Sequence, residues 1–184
     1  MSDIARPSGR VVLVLDGHDG SGKTTLVRRL ATAMGTPYVQ PFAGKAGLRL
    51  LDDADAGRYG DLSCAALQMV ERALGSVAGP LVLSDRHWMT VFTLLPESYW
   101  QPWMPLPPTL LCSAGLPVTL QRLGTRDEPP ADVAEHARYI AAYRLLADRF
   151  GCETVRTDLL TEDASFDVAH RWANQNLAAA RCPQ

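Results

Sequence analysis

The chain has little cysteine, no long apolar run and almost no net charge, and each shortage excludes something. Its four cysteines are Cys64, Cys112, Cys152 and Cys182, and none forms a C-x-x-C pair. The usual zinc spacing is therefore absent, and the pattern suits a reduced, cytoplasmic setting. Cys112 lies in an apolar run and reads as a small core residue. No segment is long and apolar enough to span a membrane. The formal net charge is −2, which argues against a surface coated for nucleic acid and leaves room only for a local basic groove. There is no internal repeat and no low-complexity tract. Residues 1–10 are polar, unlike a signal peptide, and read as a flexible lead-in. Residues 11–184 are enough for one domain with a sizeable core.

What is present is concentrated near the start. Gly17-His18-Asp19-Gly20-Ser21-Gly22-Lys23-Thr24-Thr25 fits the G-x-x-x-x-G-K-[ST] phosphate-binding loop. The apolar run Val11–Leu15 precedes it and reads as a buried parallel strand. Leu26–Ala31 follows and reads as a helix. Gly17, Gly20 and Gly22 free the backbone to converge its N–H groups on one anion. The helix N-terminus adds partial positive charge. Lys23 is expected on the β- and γ-phosphates of ATP, with the Thr24 hydroxyl on Mg2+.

Strands and helices alternate beyond the loop, which predicts a parallel sheet covered on both faces. Strands are expected at Tyr38–Gln40, Leu81–Asp85, Thr109–Ser113 and Glu153–Thr157. Helices are expected at Lys45–Leu51, Leu62–Val77, Val118–Arg122, Ala131–Phe150 and Ser165–Ala180, with Ser165 capping the last. Met89–Leu95 is a further helical candidate. Asp52–Gly60 reads as polar turns. On the helix Ala131–Phe150, Val133, Ala137, Ile140, Ala147 and Phe150 fall near one face. Pro96–Pro108 holds five prolines beside Tyr99, Trp100 and Trp103, and it cannot be a regular helix. The tryptophans read as core or oligomer contacts, with base stacking as the alternative. The third strand ends in Ser84-Asp85, with Arg86-His87-Trp88 at the sheet's carboxyl edge, where open α/β sheets bind ligands.

Taken together, these residues resemble the thymidylate kinases and the related deoxynucleoside kinases. Asp16–Thr25 resembles the loop G-x-D-G-S/A-G-K-T-T, and Asp85-Arg86-His87 resembles the D-R-Y/H motif of that family. Leu120–Phe150 is similar to its lid and long helix, including the pair Tyr143-Arg144. Val155–Asp158 is similar to its closing strand and adenine-side loop. The resemblance implies a three-layer α/β P-loop kinase fold with a five-stranded parallel sheet and a lid at about 122–130. It implies ATP and Mg2+ as cofactors. Asp19 would lie near Mg2+ or the acceptor sugar, Asp85 on Mg2+, and Arg86 between donor and acceptor phosphates. Arg122 and Arg126 would close over the transferred group. His18 occupies a variable loop position and reads as a bystander. A homodimer is a modest expectation of the resemblance.

The acceptor half departs from the family. Ala66, beside Gln68, stands where thymidylate kinases place a phosphate-clamping arginine, and Arg72 lies two turns on. Trp88–Leu94 replaces the thymine-reading segment. Gln40 stands where deoxynucleoside kinases place a glutamate base, and an amide takes up no proton there. The acceptor candidates are Gln40, Phe42, Arg49, Gln68, His87 and Trp88, with Lys45 as a further phosphate ligand. The expected acceptor is a pyrimidine deoxynucleotide or close relative. The alternatives are a hydroxyl acceptor, such as a deoxynucleoside or a hydroxymethyl pyrimidine in phage DNA, with Asp19 or Asp85 as base. A non-catalytic nucleotide-binding protein is a third reading, disfavoured by the intact Lys23, Thr24, Asp85 and Arg86.

Overall fold

Five apolar runs become strands, and the intervals between them become helices. The computed structural model describes residues 10–125 and 132–181. The strands are β1 (Val11–Asp16), β2 (Tyr38–Val39), β3 (Leu81–Asp85), β4 (Thr109–Ser113) and β5 (Glu153–Arg156). They form one parallel sheet in the order β2-β3-β1-β4-β5. Register pairs Leu15 with Asp85 in β3, and Asp16 with Leu111 in β4. The central strands are buried on both faces, which is why they read as unbroken apolar runs.

The helices are α1 (Lys23–Met34), α2 (Lys45–Asp55), α3 (Tyr59–Gly75), α4 (Trp88–Phe92), α5 (Leu116–Leu123), α6 (Val133–Phe150) and α7 (Glu162–Arg181). They make two cores, one on each face of the sheet. Leu13, Leu15 and Leu83 pack with Leu26 and Leu30 of α1 and Trp172 of α7. On the other face Leu111 packs with Leu62 and Val70 of α3, Trp88 and Phe92 of α4 and Leu146 of α6. Alternating strand residues feed opposite cores, as the pleat requires.

The structure differs from the sequence reading at several elements. α2 runs on through Asp52–Asp55, which were expected as turns. Asp52, Asp53 and Asp55 lie on helical positions beyond Leu50, the only buried residue of α2, and Ala54 between them packs against the core. α7 begins at Glu162, and Thr161 does the work expected of Ser165: its Oγ1 accepts the Ala164 N–H at 3.1 Å. Ser165 sits one turn inside, buried, with its hydroxyl unpaired. Val133, expected on the inner face of α6, is exposed. The inner stripe there is Ile140, Tyr143, Leu146 and Ala147.

The proline-rich segment folds back on the protein's own core as two short 3-10 turns, Glu97–Tyr99 and Gln101–Trp103. The buried Trp103 donates its indole N–H to Ser63 Oγ at 3.1 Å. Trp100 stacks on Phe92 with ring centroids 4.4 Å apart. Arg149 lies 5.0 Å from the Trp100 ring and is hydrogen-bonded to Glu97. This wall of rings supports the loop after β3 from behind.

β1 pairs with β3 on one side and β4 on the other. The connections that leave these strands part above the sheet, which is where open α/β sheets form a crevice. No helix among the described residues is long and apolar enough to cross a membrane.

Candidate active site

The loop after β1 wraps its backbone around the start of α1. Gly22 caps that helix in the left-handed region at φ 80°. A side chain at Gly17 would strike the Cys112 carbonyl oxygen, so the loop can lie against β4 only with glycine there. The first backbone bond into α1 is Leu26 N–H to the Gly22 carbonyl, 3.2 Å. The N–H groups of Lys23, Thr24 and Thr25 therefore have no acceptor within the helix and line an anion seat.

Lys23 is buried, with Nζ 3.2 Å from the His18 carbonyl oxygen and 3.6 Å from Asp19 Oδ1. Burial and the neighbouring Arg86 lower its pKa to about 8, against the opposing pull of Asp19, Asp85 and Asp16. A phosphate anion beside it would hold it in the ammonium form. His18, read as a bystander, is built into the loop. Its Nε2 accepts the Ala114 N–H at 3.2 Å, which leaves Nδ1 as the N–H that donates to the Asp19 carbonyl at 2.8 Å. Burial lowers its pKa to about 4, so the ring is neutral at physiological pH.

At the end of β3, Asp85 Oδ2 accepts two hydrogen bonds, from Thr24 Oγ1 at 2.7 Å and from the Gln40 amide at 2.8 Å. Its Oδ1 is buried with no partner. An orphaned carboxylate oxygen beside a threonine hydroxyl is a set of hard oxygen donors. Such donors suit Mg2+, which takes one or two protein oxygens and keeps its other positions for water and phosphate. The residues therefore fit the metal that the fold implies, and Asp85 and Thr24 are the side chains that would hold it. The described residues hold no cluster of three or more His, Cys, Asp or Glu that would make a metal cage, and this mode of binding requires none.

Arg86 takes φ 75°, the only non-glycine residue with positive φ among those described. A bulky side chain pays strain in that conformation. The turn that enforces it is tied down by Asp16, a buried acid at the end of β1. Asp16 Oδ2 accepts the His87 N–H at 2.8 Å and the Thr90 N–H at 3.2 Å. Its Oδ1 accepts the Gly17 N–H at 2.9 Å and the Thr90 hydroxyl at 2.7 Å. The same Thr90 hydroxyl meets Tyr143 Oη at 2.8 Å. Arg86 itself pairs with Asp19. Asp16, Thr90 and Tyr143 thus lock the phosphate loop, the β3 turn and α6 into one assembly. Asp16 was read only as a flank of the loop motif, and its network has no signal in a single sequence.

Two cavities flank this assembly. A cavity of about 210 Å3 lies on the outer side of the loop, against Gly22, Leu26, Arg122, Thr157 and Ser165. Thr25 of the loop also lines it. Arg122, expected to close over the transferred group, is engaged instead with the loop's outer face. It donates to the Gly20 carbonyl at 3.0 Å and to Thr157 Oγ1 and O at 3.0 and 2.9 Å. Thr157 Oγ1 in turn donates to the Ser21 carbonyl at 2.7 Å. Arg126 and most of the expected lid fall outside the described residues.

The second cavity, about 360 Å3, opens on the other side of Asp19 and Arg86. Of the acceptor candidates only Phe42 lines it. Gln40 is turned to Asp85. Arg49 is exposed on α2, off this wall. Gln68 is exposed on α3, its amide on Cys64 Sγ. Trp88 is buried in the core and donates to Thr109 Oγ1 at 2.8 Å. His87 is buried edge-on to Trp103, and its Nδ1 lacks a partner. The cause is α4, which starts at Trp88 and turns these side chains inward. The wall is instead built by Leu48, Leu51 and Leu94 with Thr90 and Thr93. Opposite stand Glu135, His136, Tyr139 and Tyr143 of α6. The spacing 135, 139, 143 places these on one face of a helix, and that periodicity was the available signal.

Comparison with known proteins places this fold. No protein-family model matches the chain. A cytidylate kinase of Thermus thermophilus is 32% identical over 91 residues, 48% of this chain. The match spans 44% of that protein, less than half its length. Thymidylate kinase of Candida albicans superposes with a TM-score of 0.66 at 12% identity, covering 91% of this chain and 93% of that one. Deoxyadenosine kinase of M. mycoides, solved with its products dCMP and dCDP, gives 0.64 at 9% identity, covering 90% and 99%. The YorR protein of Bacillus subtilis, in complex with phosphorylated GDP, gives 0.58 at 13% identity, covering 91% and 98%. The chain has the fold of the P-loop nucleotide and nucleoside kinases.

Proposed function

We propose that this protein is an ATP- and Mg2+-dependent phosphotransferase acting on a nucleoside- or nucleotide-sized acceptor. The observation that carries the reading is the convergence of Lys23, Asp19, Arg86, Asp85 and Thr24 between two cavities. A donor entering past Arg122 and Thr157 would lay its phosphates along the loop. An acceptor beneath Phe42 and Tyr143 would meet them at Arg86.

Phosphoryl transfer spreads charge over the equatorial oxygens of the moving group, so positioning and electrostatics supply most of the catalysis. Lys23 and the N–H groups at the start of α1 bind the donor phosphates. Arg86 is fixed by its turn and by Asp19 at the boundary of the two cavities, where charge develops. Asp85 and Thr24 hold Mg2+, which when bound neutralises and orients the phosphate oxygens. The pyrimidine deoxynucleotide implied by the family resemblance is one acceptor of the proposed class.

A coupled ATP-consumption assay over nucleosides and nucleotides tests the reading. Acceptor-dependent turnover that Lys23→Ala abolishes is expected. ATP hydrolysis unaffected by every acceptor would overturn it and leave a nucleotide-binding protein.

A further inference from the structure

The phosphate loop is gripped from outside by two side chains that its motif does not contain. Thr157, the residue after β5, donates its hydroxyl to the Ser21 carbonyl at 2.7 Å. Arg122, in the last turn of α5, donates to the Gly20 carbonyl at 3.0 Å and to Thr157 Oγ1 and O at 3.0 and 2.9 Å. The Thr157 hydroxyl thus accepts from Arg122 and gives its one proton to Ser21. A Cβ on Gly22 would lie 3.4 Å from Thr157 Oγ1 and 3.6 Å from Arg122 Nη1, so the pair rests against the loop's outer face.

The grip is itself anchored. The Thr157 N–H donates to the Ser113 carbonyl, at the end of β4, at 3.0 Å. The next residue, Asp158, accepts the Gly115 N–H at 2.8 Å where α5 begins, and pairs with Arg156. The sheet edge, the turn after β5 and α5 therefore act as one support.

A trans peptide unit is planar, with the carbonyl of one residue and the N–H of the next on opposite sides. Fixing the carbonyl outward fixes that N–H inward. The hold of Thr157 on the Ser21 carbonyl therefore aims the Gly22 N–H at the inner side of the loop. The hold of Arg122 on the Gly20 carbonyl turns the Ser21 N–H inward, where it donates to the His18 carbonyl at 3.3 Å. That same His18 carbonyl accepts from Lys23 Nζ at 3.2 Å.

Resting on the phosphotransferase reading, we propose that Thr157 and Arg122 are positioning residues of the phosphate seat. They act through the loop backbone and hold its inward donors in place before the donor phosphates arrive. The glycines create the need. Gly17, Gly20 and Gly22 permit the loop's conformation but also leave the backbone more freedom to lose on binding. A seat fixed beforehand from outside avoids that ordering cost. Arg122 thus serves phosphate binding from behind the loop, where the family resemblance implied closure over the transferred group.

Thr157 is the sharper probe, because an uncharged side chain cannot attract a distant anion. Inorganic tripolyphosphate is the sharper ligand, because it has no nucleoside for Thr157 to touch. Calorimetry at pH 7 with Mg2+ should show Thr157→Val binding both tripolyphosphate and ATP about tenfold more weakly than the parent, the effect of one lost hydrogen bond. Thr157→Ser keeps the hydroxyl and should recover most of that loss. Should Thr157→Val fail to fold, Arg122→Lys decides: it keeps the charge, lacks the fork that bridges Gly20 and Thr157, and should weaken tripolyphosphate to a similar extent. Tripolyphosphate binding equal to the parent's would overturn the inference and keep the phosphotransferase. Weaker ATP binding with tripolyphosphate unaffected would also overturn it, since Thr157 would then act on the nucleoside. A serine variant as weak as the valine one would remove the hydroxyl from the account and overturn it too. Tripolyphosphate binding that depends on Thr157, without acceptor-dependent turnover, would uphold the inference and overturn the phosphotransferase reading instead.

Discussion

The Gln40 side-chain amide donates to Asp85 Oδ2 at 2.8 Å, so a neutral donor stands against the proposed metal-binding carboxylate. With Thr24 on the same oxygen, Oδ1 is left as the buried acceptor that nothing satisfies. Gln40 therefore positions Asp85. Gln40→Glu replaces a hydrogen bond with two carboxylates in contact, which destabilises the ionised pair. Without metal it should cost about 2 kcal/mol, the scale of a lost buried hydrogen bond plus repulsion, and should lower Tm by roughly 4–8 °C. Mg2+ should restore more of this loss in the variant than it adds to the parent. Thermal unfolding with and without Mg2+ measures both, and equal Mg2+ effects in the two proteins would remove Asp85 from the metal site.

Lys23 gives a pH signature. Its pKa is lowered to about 8 in the unliganded protein, chiefly by burial. Bound phosphate would keep it charged. Triphosphate binding should therefore be insensitive to pH below about 8 and weaken above it, by up to tenfold per unit, as the free protein loses the proton that the complex must regain. Calorimetry at pH 8.5 in two buffers of different ionisation enthalpy should record uptake of about three-quarters of a proton per nucleotide. Lys23→Ala should abolish that uptake and lower turnover by about 10³-fold, the scale of one lost phosphate-stabilising group.

The strands and the geometry of the phosphate loop were legible, for a physical reason. β3 and β4 occupy the ranges their apolar runs predict, because a parallel strand buried on both faces shows as an unbroken run. The phosphate loop is local chemistry, so its glycines, Lys23 and Thr24 are adjacent in sequence and adjacent in space. The acceptor wall is not local. It is drawn from α2, the turn after β3 and α6, and a helix start at Trp88 decides that Trp88 and His87 point into the core. The α2 extension has little sequence signal because Asp52, Asp53 and Asp55 are turn-forming residues, and only Ala54 among them packs against the core. The start of α7 is ambiguous in sequence because Thr161 and Ser165 both suit a cap, and the acidic first turn Glu162-Asp163 directly after Thr161 is what distinguishes them.

Two buried imidazoles should make the fold sensitive to acid. His18 and His87 both have pKa values lowered to about 4 by burial, against 6.5 when unfolded. Between those values the unfolded chain binds protons that the native chain does not, so stability falls as pH falls from about 6.5 to 4. Each residue contributes about 3 kcal/mol over that window. Urea midpoints measured from pH 7 to 4 should fall with a slope approaching two protons. His87→Phe, which keeps the ring against Trp103 and removes the unpaired Nδ1, should flatten the slope toward one. An unchanged slope would show that His87 does not carry the effect.

Arg86 separates stability from function within one residue. Its φ of 75° costs any residue with a Cβ, and the turn is imposed by Asp16 rather than by the guanidinium. Arg86→Gly removes both the strain and the charge, whereas Arg86→Ala removes only the charge. The glycine variant should therefore be more stable than the alanine variant by about 1 kcal/mol, despite its larger unfolded-state entropy, because positive φ penalises alanine by more than that entropy term. Both should lose about 10²–10³-fold in turnover, as removal of a group that stabilises developing charge does. Denaturant titration of the pair, read beside the acceptor assay, checks the two effects separately. If alanine equals glycine in stability, the strain is not stored at Arg86. If either variant keeps full turnover, Arg86 does not stand at the point of transfer.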